Sequence, residues 1–131
     1  MSKKLVALLG LDPFTIDFSH PEFTHFSKLG PEGVKAMLDK DRDALNALGF
    51  EAELVLANAD LDAPRTDVAD ALKSRKWDCV LIGNGVRSIP RNFLLFELLV
   101  NLVHEHAPQA RICFNTRPDD SAEAVRRWLD P

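Results

Sequence analysis

A chain of 131 residues, 46% apolar and 27% charged, is long enough to bury a conventional core and short enough to read as one domain spanning 1–131. Sixteen basic against 20 acidic side chains leave a net charge of −4. That sign argues against a nucleic-acid partner, whose phosphates call for a basic face. Nothing approaches the length of a transmembrane helix.

The start, MSKKLVALLGLDP, sets two lysines before an apolar run, but the run from Leu5 to Leu11 is short and ends in Asp-Pro. It reads as a first strand rather than a secretory leader. The run is continuous, not alternating, which suits a strand covered on both faces. Residues 12–30 follow as a long irregular insert, broken by Pro13 and Pro21 yet carrying four phenylalanines. A loop of that length in a compact domain is more often functional than a plain connection.

Pro31 to Leu48 is an amphipathic helix, with Val34, Met37, Leu38, Leu45 and Leu48 at helical spacing and Gly49 as its stop. Phe50 to Leu56 alternates, placing Glu51 and Glu53 on one face, as an edge strand does. After a polar turn at Asn58–Pro64, a second helix runs from a Thr66 or Asp67 cap to Arg75. Cys79 to Ile82 is a second continuous apolar strand and belongs in the centre of a sheet. Asn92 to Ala107 is a third helix, Arg111 to Phe114 a short fourth strand, and Ser121 to Leu129 a last helix capped by Asp120 or Ser121. Cys79 and Cys113 both fall in strand-like runs and read as reduced core residues of a cytoplasmic protein.

Strictly alternating strands and helices imply a parallel sheet with helices on both faces. Two fully apolar strands and two less continuous ones give the order 2-1-3-4. That is a small flavodoxin-like, Rossmann-like three-layer fold that reverses direction between strands one and three.

Such a fold binds ligands at the carboxyl ends of the strands where the order reverses. The chain places Asp12 and the insert there, with Gly83, Asn84, Gly85, Arg87 and Ser88 opposite and Asn115, Thr116 and Arg117 on the same rim. Glycines let backbone amides converge, and Arg87, Arg91 and Arg117 add positive charge, so a small anion such as a phosphate or carboxylate is the expected partner. G-x-G with Ser88 at the third glycine follows the third strand rather than the first, which excludes a dinucleotide fingerprint. No motif names a cofactor. There is no nucleophile elbow, so Asp12 and then His20 are the acid/base candidates beneath a loop able to close. Asp17, His20, Glu22 and His25 cluster in the insert without metal-ligand spacing, and no metal is expected.

In the third helix apolar residues run nearly all round, while Glu97, Asn101 and His104 share one face at i, i+4 and i+7. A helix on a sheet needs only one apolar stripe, so a second burial partner is implied: a twin subunit in a homodimer, or a pocket lined by those three residues.

The alternation and the strand WDCVLIG resemble the response-regulator receiver family, which shares the flavodoxin-like layout. Receivers carry an acidic pair after strand one, matched here by Asp12 alone, and a hydroxyl residue after strand four, matched by Thr116. At the family's phosphoacceptor aspartate this chain has Gly83-Asn84, and it lacks the fifth strand with its lysine. The resemblance implies a receiver-like regulatory or interaction module that works without phosphorylation and dimerises through the helix at 92–107.

Overall fold

The computed structural model describes residues 2–26 and 28–131, with backbone alone for 24–26. Strands β1 (Leu5–Leu11), β2 (Glu51–Ala57), β3 (Cys79–Ile82) and β4 (Arg111–Phe114) form one all-parallel sheet in the order 2-1-3-4. Helices α1 (Gly30–Ala47), α2 (Ala63–Ser74), α3 (Asn84–Arg87), α4 (Phe93–His106) and α5 (Ser121–Arg126) connect and cover it. The flavodoxin-like fold expected from the alternation is the fold observed.

Each strand divides its side chains between two cores. Ala7, Leu9 and Leu11 of β1 and Val80 and Ile82 of β3 meet Val68 and Leu72 of α2 and Leu95, Leu99 and Val103 of α4, with Trp77 buried among them. Val6, Leu8, Cys79, Leu81 and Cys113 point the other way, onto Leu45 of α1 and Ala124 and Val125 of α5. Both cysteines are free thiols in this second core, their sulfurs 3.4 Å apart. The central strands are apolar throughout because both of their faces are covered. At the edge, β2 keeps Glu51 and Glu53 outward, where both carboxylates take hydrogen bonds from Arg75.

Several boundaries differ from expectation. α2 begins at Ala63, ahead of the expected Thr66 or Asp67 cap, because Pro64 occupies its first turn, where a missing N–H costs nothing. Asp60 Oδ1 accepts the Asp62 and Ala63 amides at 2.9 Å each and starts the helix. The insert is not wholly irregular: it winds into 3₁₀ turns at Pro13–Thr15 and Pro21–Phe26. α5 ends at Arg126, and Asp120 makes no side-chain cap for it. The apolar circumference of α4 is largely accounted for within the chain, since the helix packs on both β3 and α2. No helix among the described residues is long and apolar enough to cross a membrane.

Candidate functional site

The sheet reverses direction between β1 and β3, and a cleft of about 90 Å³ opens at their carboxyl ends. Gly10 and Leu11 close β1 beneath it, and Gly83 ends β3 beside them. The insert supplies Ile16, Phe18 and Phe23 as one wall, and α1 supplies Val34, Leu38 and Asp41 as another. Asn84, Gly85 and Val86 of α3, with Asn115 and Pro118 after β4, complete the lining. At Asp41 and Pro118 the cleft meets a wider surface depression of about 440 Å³ that also touches Met37, Lys40 and Arg117.

A chain of hydrogen bonds runs across the polar side of this cleft. Asn115, only 6% exposed, accepts the Asn84 backbone N–H on Oδ1 at 2.7 Å and donates from Nδ2 to Ser121 Oγ at 3.0 Å. The buried Ser121 hydroxyl donates in turn to Asp41 Oδ2. At the opposite end Arg87 Nη2 donates to Asn84 Oδ1 at 3.2 Å and to the Asn115 carbonyl at 3.1 Å. A guanidinium therefore stands at one end of the chain and a carboxyl at the other.

Local sequence explains the arrangement. Asn115 is the first residue beyond β4 and Ser121 the first of α5, so a tight loop must join them. Asp120 closes that loop by accepting the amides of Thr116 and Arg117 and the Thr116 hydroxyl. Burial pushes the Asp120 carboxyl up, but the hydrogen bonds from Thr116 and Arg117 outweigh it and hold the group below the usual carboxylate range. Asp41 goes the other way. Burial pushes its carboxyl up to about 6, the Ser121 hydroxyl opposes the rise, and the charges of Asp120 and Asp119 add to it.

Of the residues expected from sequence, Gly83, Asn84, Gly85 and Asn115 line the cleft together, and Arg87, exposed and outside that lining, is tied to it by its hydrogen bonds to Asn84 and Asn115. Ser88 Oγ donates to the Asn84 carbonyl at 2.7 Å. Thr116 serves Asp120, and Arg117 Nε is paired with Asp119 Oδ1 at 2.6 Å. The Gly83–Ser88 turn is a single helical turn in which the amides of Val86, Arg87 and Ser88 donate to the carbonyls of Gly83 and Asn84. Positive character at this rim thus comes from the Arg87 side chain more than from the backbone.

Asp12 and His20 belong to the insert but do not line the cleft. The Asp12 carboxylate accepts the Phe14 amide at 3.0 Å and caps the first 3₁₀ turn. His20 Nδ1 accepts the Glu22 amide at 3.2 Å, and its ring meets Phe23 edge-on. The side chain of His25 lies outside the described residues, and so does all of Ser27, within the insert. Glu97, Asn101 and His104 are all exposed on α4, away from the cleft, with Asn101 Nδ2 donating to the Glu97 carbonyl at 2.9 Å.

Asp41 and Ser121 are the functional candidates that sequence reasoning missed. One signal was available: Val34, Leu38, Asp41 and Leu45 form a single i, i+4, i+7, i+11 stripe, so this acid occupies an inward position of α1.

No family model matches the chain, and no curated protein and no solved structure matches it. Fold and site together define a class, a flavodoxin-like α/β domain with a cleft at the point where strand order reverses.

Proposed function

We propose that this chain is a small-molecule-binding domain. Its ligand lies in the cleft between the 12–30 insert and the Gly83–Ser88 turn and presents an anionic group, phosphate or carboxylate, to Arg87. The observation that carries the proposal is the pair Gly10 and Gly85. Both line the cleft, neither has a positive φ, and a Cβ built on either would meet nothing within 4 Å. Neither backbone conformation nor packing calls for glycine there, and glycine within a strand or helix is otherwise a cost. Close approach of a bound molecule to the backbone accounts for both. Arg87 supports the anion, because no carboxylate among the described residues forms an ion pair with it.

The test is a thermal melt of the full chain against inorganic phosphate, nucleotides and small carboxylates. At least one should raise the melting temperature of wild type, as a ligand binding only the native state must. That rise should be lost in Arg87→Ala. A wild type unmoved by every anion, or equal shifts in wild type and Arg87→Ala, would overturn the proposal.

A second reading has its own observation. Phe93 and Leu94 at the start of α4 are 61% and 57% exposed, beside the polar Glu97, Asn101 and His104. A receiver-like module dimerising through α4 would cover them. Sedimentation should then show a dimer that Phe93→Glu dissociates, and a wild-type monomer at micromolar concentration would sink this reading.

A further inference from the structure

We infer that the cleft takes a small zwitterion with an apolar body, a molecule of amino-acid type, whose carboxylate meets Arg87 and whose ammonium meets Asp41. The inference rests on the anion-binding reading of the same cleft and extends it to the opposite end.

Asp41 is a half-buried carboxyl without a cationic partner among the described residues. The other charged groups around it make this conspicuous. On its own helix, Lys35 is paired with Asp39 at 2.7 Å, and Arg42 with Asp39 and Asp43 at 3.2 and 3.1 Å. Lys40 is exposed and forms no ion pair with Asp41, although both border the outer depression. Across from α1, Arg117 is taken by Asp119, while Asp119 and Asp120 add negative charge near Asp41. A carboxylate withdrawn from water without a counter-charge is unfavourable, and a ligand cation would supply one.

The two charged ends are joined by the successive hydrogen bonds through Asn115 and Ser121, with apolar wall alongside them. Asp41 lines the cleft and Arg87 lies just beyond Asn84 and Asn115, so a molecule reaching both carries opposite charges on a body that rests against Phe18, Phe23, Val34 and Leu38. At about 90 Å³ the cleft is smaller than the roughly 150 Å³ cavity that holds a benzene ring. A short aliphatic body fits better than an aromatic one.

The experiment compares matched compounds by calorimetry on the full chain. Leucine and 6-aminohexanoate are zwitterions of short and long charge separation, 4-methylpentanoate keeps only the acid, and 3-methylbutylamine keeps only the amine. One zwitterion should bind about tenfold to a hundredfold more tightly than both single-charge compounds, as loss of a hydrogen bond to a charged group implies. Asp41→Asn, which keeps an acceptor for Ser121, should erase the preference over the acid, and Arg87→Ala the preference over the amine. A melting curve for each variant shows that it is folded. If the acid binds as well as either zwitterion and Asp41→Asn changes nothing, the inference is overturned while anion binding stands. If only the amine binds, or none of the four, the inference is overturned, and anion binding is decided separately by the melts against phosphate and nucleotides.

Discussion

The side-chain oxygen of Asn115 accepts the backbone N–H of Asn84 at 2.7 Å, tying the loop after β4 to the loop after β3 across 31 positions of sequence. The same side chain reaches Ser121 with its amide. Removing it in Asn115→Ala leaves a part-buried amide and a buried hydroxyl short of partners. The expected loss is about 2–3 kcal/mol in urea unfolding, from two desolvated groups. A loss below about 0.5 kcal/mol, the range of ordinary surface changes, would mean that the bridge is not formed.

Asp41 gives stability a pH dependence of defined sign. Its carboxyl holds its proton up to about 6 when folded, against 3.8 for the ordinary group. Below 3.8 both states are protonated and the group contributes no penalty. Between 3.8 and about 6 the native state keeps a proton that the unfolded chain gives up, so stability falls as pH rises through that window. Asp41→Asn should be about as stable as wild type in acid and more stable above the window, by about 1 kcal/mol once solvent screening is allowed for. A constant difference between the two proteins across the range would rule out this assignment.

Gly10→Ala and Gly85→Ala separate folding from binding. Open space surrounds both positions. Gly85→Ala, within α3, should leave stability unchanged or raise it by up to about 1 kcal/mol, since alanine favours helix over glycine. Both variants should weaken whichever compound proves to bind, because the added methyl occupies cleft space. Unaltered affinity in both would place the ligand elsewhere.

Two leucines of α4 should behave oppositely. Leu99 is fully buried and Leu94 is 57% exposed. Leu99→Ala should cost about 2–5 kcal/mol and Leu94→Ala less than about 0.5 kcal/mol in a monomer. A larger, concentration-dependent cost at Leu94 would instead identify a covered surface, in favour of the dimer.

How far the sequence could be read depended on which physical cause acted locally. LVALLGL and CVLI are apolar at nearly every position because both their faces are covered, and that pattern alone places β1 and β3 in the centre. FEAELVL alternates because one face of β2 is covered, burying Phe50 and Ala52, while the other leaves Glu51 and Glu53 half-exposed to meet Arg75. The start of α2 was misplaced since proline reads as a turn signal unless an upstream cap such as Asp60 is seen. Asp41 was harder still. It sits among Asp39, Lys40, Arg42 and Asp43, where the stripe of Val34, Leu38 and Leu45 marks it only as inward, and its role appears with the arrival of Ser121, 80 residues later. The glycines of the 83–88 turn were legible as cleft lining, but the single helical turn that engages the amides of Val86, Arg87 and Ser88 is a tertiary result.

The strand order also sets a timetable. β1 pairs with β2 and with β3, whose Cys79 lies opposite Val6 from 73 positions earlier, and every connection is a crossover. A chain emerging from the ribosome presents LVALLGL long before CVLI exists to flank it, so one side of this apolar run stays unpaired until β3 follows. The cleft closes last, when Asn115 and Ser121 reach a turn made some thirty residues earlier and a helix made eighty earlier. A nascent chain stalled after α3 would hold the glycines and Arg87 but lack both residues that join them to Asp41.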